Sequence, residues 1–358
     1  MTGKIRLLIV GLGNMGLSHS VACHELEGFE IVGLCARSLN SDTVLPEDLS
    51  RYPRYSSFDD ALAQSCPDAV CISTYPDTHA DYAIKAFEAG AHVFLEKPVA
   101  QTVEDARRVV GSARANNCKL VVGYILRHHP GWMKLVEIAQ SLGKPLVMRM
   151  NLNQQSSGPT WETHKTLMQS ISPIVDCGVH YVDMMCLMTQ AEPVSVQAIG
   201  ARLSDEIAED MYNYGHLHVS FSDGSIGWYE AGWGPMMSET AFFVKDVVGP
   251  RGSASIVIAD PDKGGAASDD IGAHTQTSKI RLHHAERDAH GAFLKSDTMI
   301  DMSDEPDHDG LCLREQQFFL DAIQNDVDLS EHMRDAVNSL RIVLAADQSI
   351  REGGIVKL

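Results

Sequence analysis

Positive charge is scarce in this chain: 29 lysines and arginines stand against 48 aspartates and glutamates, a formal charge of -19. That surplus repels nucleic acid and anionic membrane, so neither is expected as a partner, although basic residues gathered in a cleft would still hold an anion. Long apolar runs are also missing. None approaches the roughly 20 residues that a helix needs to span a bilayer. The N-terminal apolar run is too short, and too soon followed by glycines, to read as a secretory leader. Paired cysteines are missing as well: eight are scattered along the chain with no C-x-x-C, and 358 residues need no disulfide staples. There is no internal repeat, heptad run or low-complexity tail. What remains is an ordinary packed globular chain, 44% hydrophobic. It is long enough for two domains and is expected to be a cytoplasmic enzyme.

Against that background one stretch stands out, IRLLIVGLGNMG at Ile5–Gly16. The apolar run Leu7–Val10 leads into Gly11, Gly13 and Gly16, with Asn14 and Met15 inside the turn. Beyond Gly16 a helix is expected as far as Glu27, and a second apolar run, Phe29–Leu34, follows. Strand, glycine turn, helix and strand in succession is the setting a dinucleotide needs. Gly11 permits the turn out of the strand, Gly13 lets backbone approach a pyrophosphate, and Gly16 lets helix pack on strand. The helix N-terminus then offers unpaired N–H groups to the anion.

An acid is expected about 20 residues after the last glycine, to hold the adenosine ribose. Ala36 occupies that place, followed by Arg37 and Ser38. Losing the acid removes repulsion toward a 2′-phosphate, and an arginine beside it pairs with that phosphate, so NADP is favoured over NAD. The alternative is that Arg37 only stacks on adenine and either cofactor binds. The next strand, Ala69–Ile72, ends in Ser73-Thr74-Tyr75-Pro76-Asp77-Thr78-His79. Ligands of open α/β sheets bind off carboxyl ends of strands, so Thr74, Tyr75, Pro76 and His79 should border the cofactor. The strand His92–Leu95 ends in Glu96-Lys97-Pro98. Lys97 sits where nicotinamide chemistry would occur; taken by position alone it is equally a surface lysine.

These stretches carry a resemblance. GLGNMG at Gly11–Gly16, STYPDTH at Ser73–His79, FLEKPVA at Phe94–Ala100, GYILRHHP at Gly123–Pro130 and DCGVHYVD at Asp176–Asp183 are similar to the Gfo/Idh/MocA family, the glucose–fructose oxidoreductase and inositol dehydrogenase group. The resemblance covers essentially the whole chain. It implies a Rossmann domain followed by an α+β domain with an open, mainly antiparallel sheet. It also implies a cis option at Lys97–Pro98, which proline makes cheap, and a ribose contact for Glu96.

The boundary is expected near residue 127, giving a dinucleotide domain at 1–127 and a substrate-binding and oligomerisation domain at 128–358, with the final helices free to return to the first domain. From Gln154 to Gln169 the chain is polar and reads as a loop; Trp161 and His164 there, with Tyr124 and Arg127 before it, are candidates for the substrate pocket. Ser172 and Pro173 open a helix on which Asp176 and His180, four apart, share a face. From Val194 onward strands recur at Val194–Ala201, Tyr212–Phe221, Ser225–Ala231, Ala241–Val248, Gly252–Ile258 and Lys279–His283, an antiparallel pattern. Too few helices accompany them to cover both faces, so a homodimer or homotetramer through the sheet is expected. Residues 260–277 read as a loop, and His274, His283, His284 and His290 show no metal-ligand spacing, so no metal is expected. Lys245 is left without a role.

Lys97, Asp176 and His180 then supply a mechanism. Hydride would move between nicotinamide C4 and a carbinol carbon of a sugar, polyol or related compound. His180 would carry the hydroxyl proton, Lys97 would stabilise the alkoxide, and Asp176 would orient substrate or histidine. Two rivals share the cofactor fingerprint: a glycosidase that oxidises and re-reduces its sugar, and a non-catalytic NADP sensor. A bare interaction module would not need the fingerprint.

Overall fold

The structure is a computed structural model, and it describes residues 3–39, 43–238, 244–257 and 275–358. In chain order the first elements are β1 (Ile5–Val10), α1 (Asn14–Glu25), β2 (Phe29–Cys35), β3 (Arg54–Tyr55), α2 (Phe58–Ser65), β4 (Ala69–Ile72), α3 (Pro76–Glu88), β5 (His92–Leu95), α4 (Val103–Ala115) and β6 (Leu120–Val122). There follow α5 (Pro130–Ser141), β7 (Val147–Gln155), α6 (Gly158–Leu167), α7 (Pro173–Asp176) and α8 (Gly178–Thr189). The strands β8 (Pro193–Ala201), β9 (Tyr214–Phe221), β10 (Ile226–Gly234), β11 (Lys245–Gly249), β12 (Gly252–Val257), β13 (Lys279–His284) and β14 (Thr298–Asp301) come next. The chain closes with α9 (His308–Gln324), α10 (Ser330–Glu352) and β15 (Ile355–Lys357). It divides into two compact units, one of residues 1–125 and 308–337, the other of 126–307 and 338–358.

The first unit is built on a six-stranded parallel sheet in the order β3-β2-β1-β4-β5-β6. Its inner strands are covered on both faces, which is why they are continuous runs of Leu, Ile and Val rather than alternating ones. Leu7, Leu8, Ile9, Val70, Ile72, Val93 and Leu95 are all fully buried. The order reverses between β1 and β4, and the crevice outside their carboxyl ends is where such sheets bind ligands. Helix α9 belongs to this unit and packs on α1, with Phe319 against Phe29 and Phe94, each pair of rings 6.1 Å apart. His332 of α10 accepts the Val122 N–H at 2.8 Å.

The second unit is built on a nine-stranded sheet in the order β14-β13-β12-β11-β7-β10-β9-β8-β15. It is antiparallel except where β10 runs parallel to β7. Alternation sorts its residues. Tyr229, Ala231 and Trp233 of β10 are buried toward the helices, where Gly178 of α8 approaches the Tyr229 ring. Ile226 of β10, Ile199 of β8, Val147 of β7 and Val248 of β11 are exposed.

Several expectations need correction. The stretch read as a loop at 154–169 contains α6. Pro159 lies in the first turn, where a proline costs no hydrogen bond, and Trp161, His164 and Met168 bury one face. Helix α1 begins at Asn14, so Gly16 lies inside its first turn rather than before it. The helix opened by Ser172 stops at Asp176 and resumes at Gly178. Strands β3, β14 and β15 were not anticipated. Part of the expected Ala241–Val248 strand, Ile258, most of the 260–277 loop and His274 lie outside the described residues.

Candidate active site

In the first unit the three glycines answer to three different constraints. Gly11 has φ +91°, and a Cβ on it would run into the backbone of Ser73 and Thr74. A Cβ on Gly16 would run into the carbonyl of Gly11. Gly13 differs: it has ordinary φ (-72°), and among the described residues nothing beyond its own stretch of chain lies within 4 Å of where its Cβ would be. It caps α1 without a side-chain hydrogen bond. The open space above Gly13 and the first N–H groups of α1, which have no carbonyl to bond within the helix, suit an anion such as a pyrophosphate. Ala36, Arg37 and Ser38 leave β2 at its carboxyl end, with Arg37 and Ser38 exposed.

The loops after β4 and β5 are tied together. Thr74 and Thr78 share a hydroxyl contact of 2.7 Å, Pro76 opens α3, and Tyr75 is 65% exposed. His79 is wholly buried, its ring nitrogens 2.9 Å from the Thr74 carbonyl and 2.8 Å from that of Pro98. Two acceptors would favour a doubly protonated ring, but burial outweighs them and holds its pKa below the ordinary histidine value. His79 therefore braces both loops from inside. Lys97–Pro98 is a cis peptide, and Lys97 is half-buried. The Glu96 carboxylate, 7% exposed, contacts His19 Nε2 at 2.7 Å and accepts the Lys97 N–H at 3.1 Å. Tyr124 is buried against the edge of the His332 ring.

In the second unit Ser172 caps α7, accepting the Val175 N–H at 3.2 Å. Its hydroxyl is anchored by Asp347 of α10 at 2.7 Å, and the Tyr212 hydroxyl joins both. Asp176 closes α7 and His180 lies in the first turn of α8, both half-buried. Between them Cys177 stays right-handed, and the His180 N–H reaches the Cys177 carbonyl, an i−3 bond. The two residues thus sit on successive helices rather than one regular face. The Cys177 thiol is 3.7 Å from Gln154 Oε1, which accepts the Trp233 indole N–H at 2.7 Å. Trp233 stacks on His164, 4.4 Å and 8° from parallel. So α6, α7 and the ends of β7 and β10 meet around Gln154 and Trp233, with Trp161 buried on α6. Arg127 makes a bidentate pair with fully buried Asp183 (2.7 and 2.8 Å).

Sequence reasoning gave no role to Gln154, Trp233 or Lys245. Lys245 of β11 is 2% exposed, donates to the Asn151 carbonyl and lies 4.5 Å from the Tyr181 ring centre. Burial pulls its pKa down to about 7. A lysine beside an apolar strand run was the available signal, but nothing local tells a buried lysine from one at a strand end. Among the described histidines of the 274–290 region, His283 pairs with Asp297 at 2.8 Å, His284 contacts Thr298 and His290 is exposed.

Comparison with known proteins agrees with this architecture. The family profile GFO_IDH_MocA, described as "Oxidoreductase family, NAD-binding Rossmann fold", matches residues 5–124, and that of the GFO/IDH/MocA C-terminal domain matches residues 134–255. Together they cover more than half of the chain. An inositol 2-dehydrogenase of Klebsiella pneumoniae is 25% identical over 67% of each chain. A UDP-N-acetylglucosamine 3-dehydrogenase of Acidithiobacillus ferrooxidans is 29% identical over 55% of this chain and 58% of its own. Matches to such curated relatives span from about half to two thirds of their length. In overall fold the chain is similar to a scyllo-inositol dehydrogenase of Lactobacillus casei, solved with NAD(H) and scyllo-inositol, at TM-score 0.74, 18% identity and 99% coverage of both chains.

Proposed function

Because the chain belongs to the Gfo/Idh/MocA oxidoreductase family, we propose that it catalyses hydride transfer between nicotinamide C4 and a carbinol or ketone carbon of a sugar, inositol or sugar derivative. The observation that carries this reading is the glycine turn. Its one sterically free glycine, Gly13, opens onto the uncapped N-terminus of α1. Gly11, Gly13, Asn14, Met15 and Gly16 would hold the pyrophosphate, and the loops of Thr74–Pro76 and Glu96–Pro98 would flank the nicotinamide half. Exposed Arg37 next to Ala36 supports NADP over NAD, since no acid stands there to repel a 2′-phosphate.

A bound nicotinamide supplies a hydride acceptor. The chain's own residues manage the proton and the charge. His180 takes the hydroxyl proton in oxidation and returns it in reduction, because an imidazole exchanges protons near neutral pH. Lys97 donates a hydrogen bond to the same oxygen and stabilises the developing alkoxide. Asp176 orients the substrate or the imidazole. Trp161 and His164, through the Trp233 and Gln154 cluster, would shape the substrate side. Tyr124 and Arg127 would act as supports, given their contacts with His332 and Asp183. Among the described residues no helix is long and apolar enough to cross a membrane. The exposed apolar residues of the large sheet would be covered by a second copy, in a homodimer or homotetramer.

The test is a screen of inositols, sugars and sugar acids with NADP and NAD, followed by His180→Ala and Lys97→Ala. Each substitution should lower turnover by roughly a hundredfold or more while cofactor affinity changes little. Near-normal turnover in both would sink the assignment. Release of an aglycone with no net change in reduced nicotinamide would point instead to the glycosidase chemistry.

A further inference from the structure

A buried acid without a hydrogen bond among the described residues lies in the first unit, close to Glu96 and with no role assigned so far. Glu315 of α9 is 1% exposed, and neither carboxylate oxygen has a partner. Possible ligand atoms of His19, Cys312 and Glu315 lie within 4.8 Å of one another. By residue type the set suits a metal, but a metal-bound imidazole must offer a nitrogen. His19 has used both, Nε2 on Glu96 at 2.7 Å and Nδ1 on the Gln316 amide at 3.1 Å.

Charge settles what the cluster holds. Two acids, Glu96 and Glu315, share one imidazole in a site closed to water. Two carboxylates beside a single cation do not both ionise cheaply there. Glu96 is the better placed to ionise, because it has His19 and the Lys97 N–H as partners. Glu315 has none, so it keeps its proton. The groups whose charge acts on Glu315 are His19, Glu96 and Cys71 on β4, and Cys23 on α1, His79 on α3 and Cys312 on α9 belong to the same cluster. Burial raises the Cys23 and Cys312 thiols; at Cys71 burial is outweighed by the Cys23 hydrogen bond and the His19 charge, which lower it; and His79 is lowered by burial, so none of these brings a second firm cation. Burial first, then the charges of Glu96 and Cys71, lift Glu315 to about 8 against the opposing pull of His19. Burial opposes a charged His19, but the hydrogen bond and charge of Glu96 prevail and raise it to about 9. With the ring charged, the Gln316 amide turns its oxygen to Nδ1, an exchange of amide ends that leaves the geometry unchanged.

We propose that Glu315 is a neutral carboxylic acid in the working protein, and that it leaves His19 wholly to Glu96, so that this ion pair fixes the peptide presenting Lys97. Glu315 and His19 are positioning residues: they act through Glu96, whose second oxygen holds the Lys97 N–H. An ionised Glu315 would compete for the imidazolium and loosen that grip. The inference rests on the role given above to Lys97, and its test is chosen to be read without turnover.

Infrared difference spectra of the full chain, wild type against Glu315→Gln, should show at pH 7 the carbonyl band of a neutral carboxylic acid present only in the wild type. The band should fade as the pH passes about 8. In the same samples the Lys97 amide resonance should shift with that midpoint in the wild type and not in Glu315→Gln. His19→Gln should lower kcat by roughly tenfold or more with cofactor affinity held, and Glu315→Gln should move the alkaline fall of kcat upward. A carboxylate band alone at pH 7, or bound metal at one per chain, overturns the proposal even if the enzyme is active. A Lys97 amide blind to Glu315 overturns the positioning. If the acid is neutral and coupled to Lys97 but no sugar or inositol is oxidised, the failure belongs to the proposed reaction.

Discussion

Gly11 and Gly13 are two residues apart and should respond oppositely to the same methyl group. At Gly11 an alanine meets both a positive φ and the backbone of Ser73. Strain of this kind costs about 1–3 kcal/mol before the clash is added, so Gly11→Ala should lower the melting temperature clearly. At Gly13 the methyl group meets open space. Gly13→Ala should therefore cost only the poorer N-cap, about 1 kcal/mol or less, and weaken cofactor binding, a contrast that calorimetry with and without NADP would show. These constraints were legible in the sequence because a glycine turn is local. Lys245 was not legible, because its burial depends on strands far away in the chain. Its folded pKa, about 7, lies below the usual 10.5. Between those values the unfolded chain holds a proton that the folded chain has lost, so stability rises with pH through that window and is lost as pH falls through it. Lys245→Met should flatten that rise in urea melts at pH 7 and pH 10, by on the order of 3 kcal/mol. An unchanged slope would mean that the ammonium is solvated.

Among the elements, strand–helix alternation in the first unit was readable because each buried strand is a short apolar run between turn signals. Helix α6 was hidden by Gly158 and Pro159, which mark a loop as readily as a helix start. The parallel pairing of β7 with β10 has no sequence signature, since register is set across some eighty intervening residues. The interruption at Cys177 was equally hidden: four-residue spacing is the same in one helix or in two that meet. The element that carries His180 is held by the Arg127–Asp183 pair. Asp183→Asn would leave the guanidinium without its buried counter-charge, a change that typically costs 3–5 kcal/mol, so a loss of about 3 kcal/mol is expected in chemical denaturation. A loss under about 1 kcal/mol would show that the pair is weakly coupled to α8.

For the whole molecule, the two units carry different parts of the proposed reaction: Lys97 belongs to the first, Asp176 and His180 to the second. The sequence alone suggested these partners through spacing and resemblance, whereas the supports beneath them, Glu315, Gln154 and Trp233, emerge only with the tertiary structure. The second unit also leaves Ile226, Ile199, Val147 and Val248 exposed on strands of one sheet. Sedimentation should find a dimer or tetramer at micromolar concentration, and Ile226→Lys should shift it toward monomer; a monomeric wild type would contradict the second copy. The central claim is tested most directly by following the hydrogen itself. With the best substrate of the panel deuterated at its carbinol carbons, mass analysis of the reduced cofactor should find the deuterium at C4 of the nicotinamide, and His180→Ala should transfer it far more slowly. Substrate conversion that leaves the cofactor unlabelled would contradict hydride transfer by this protein.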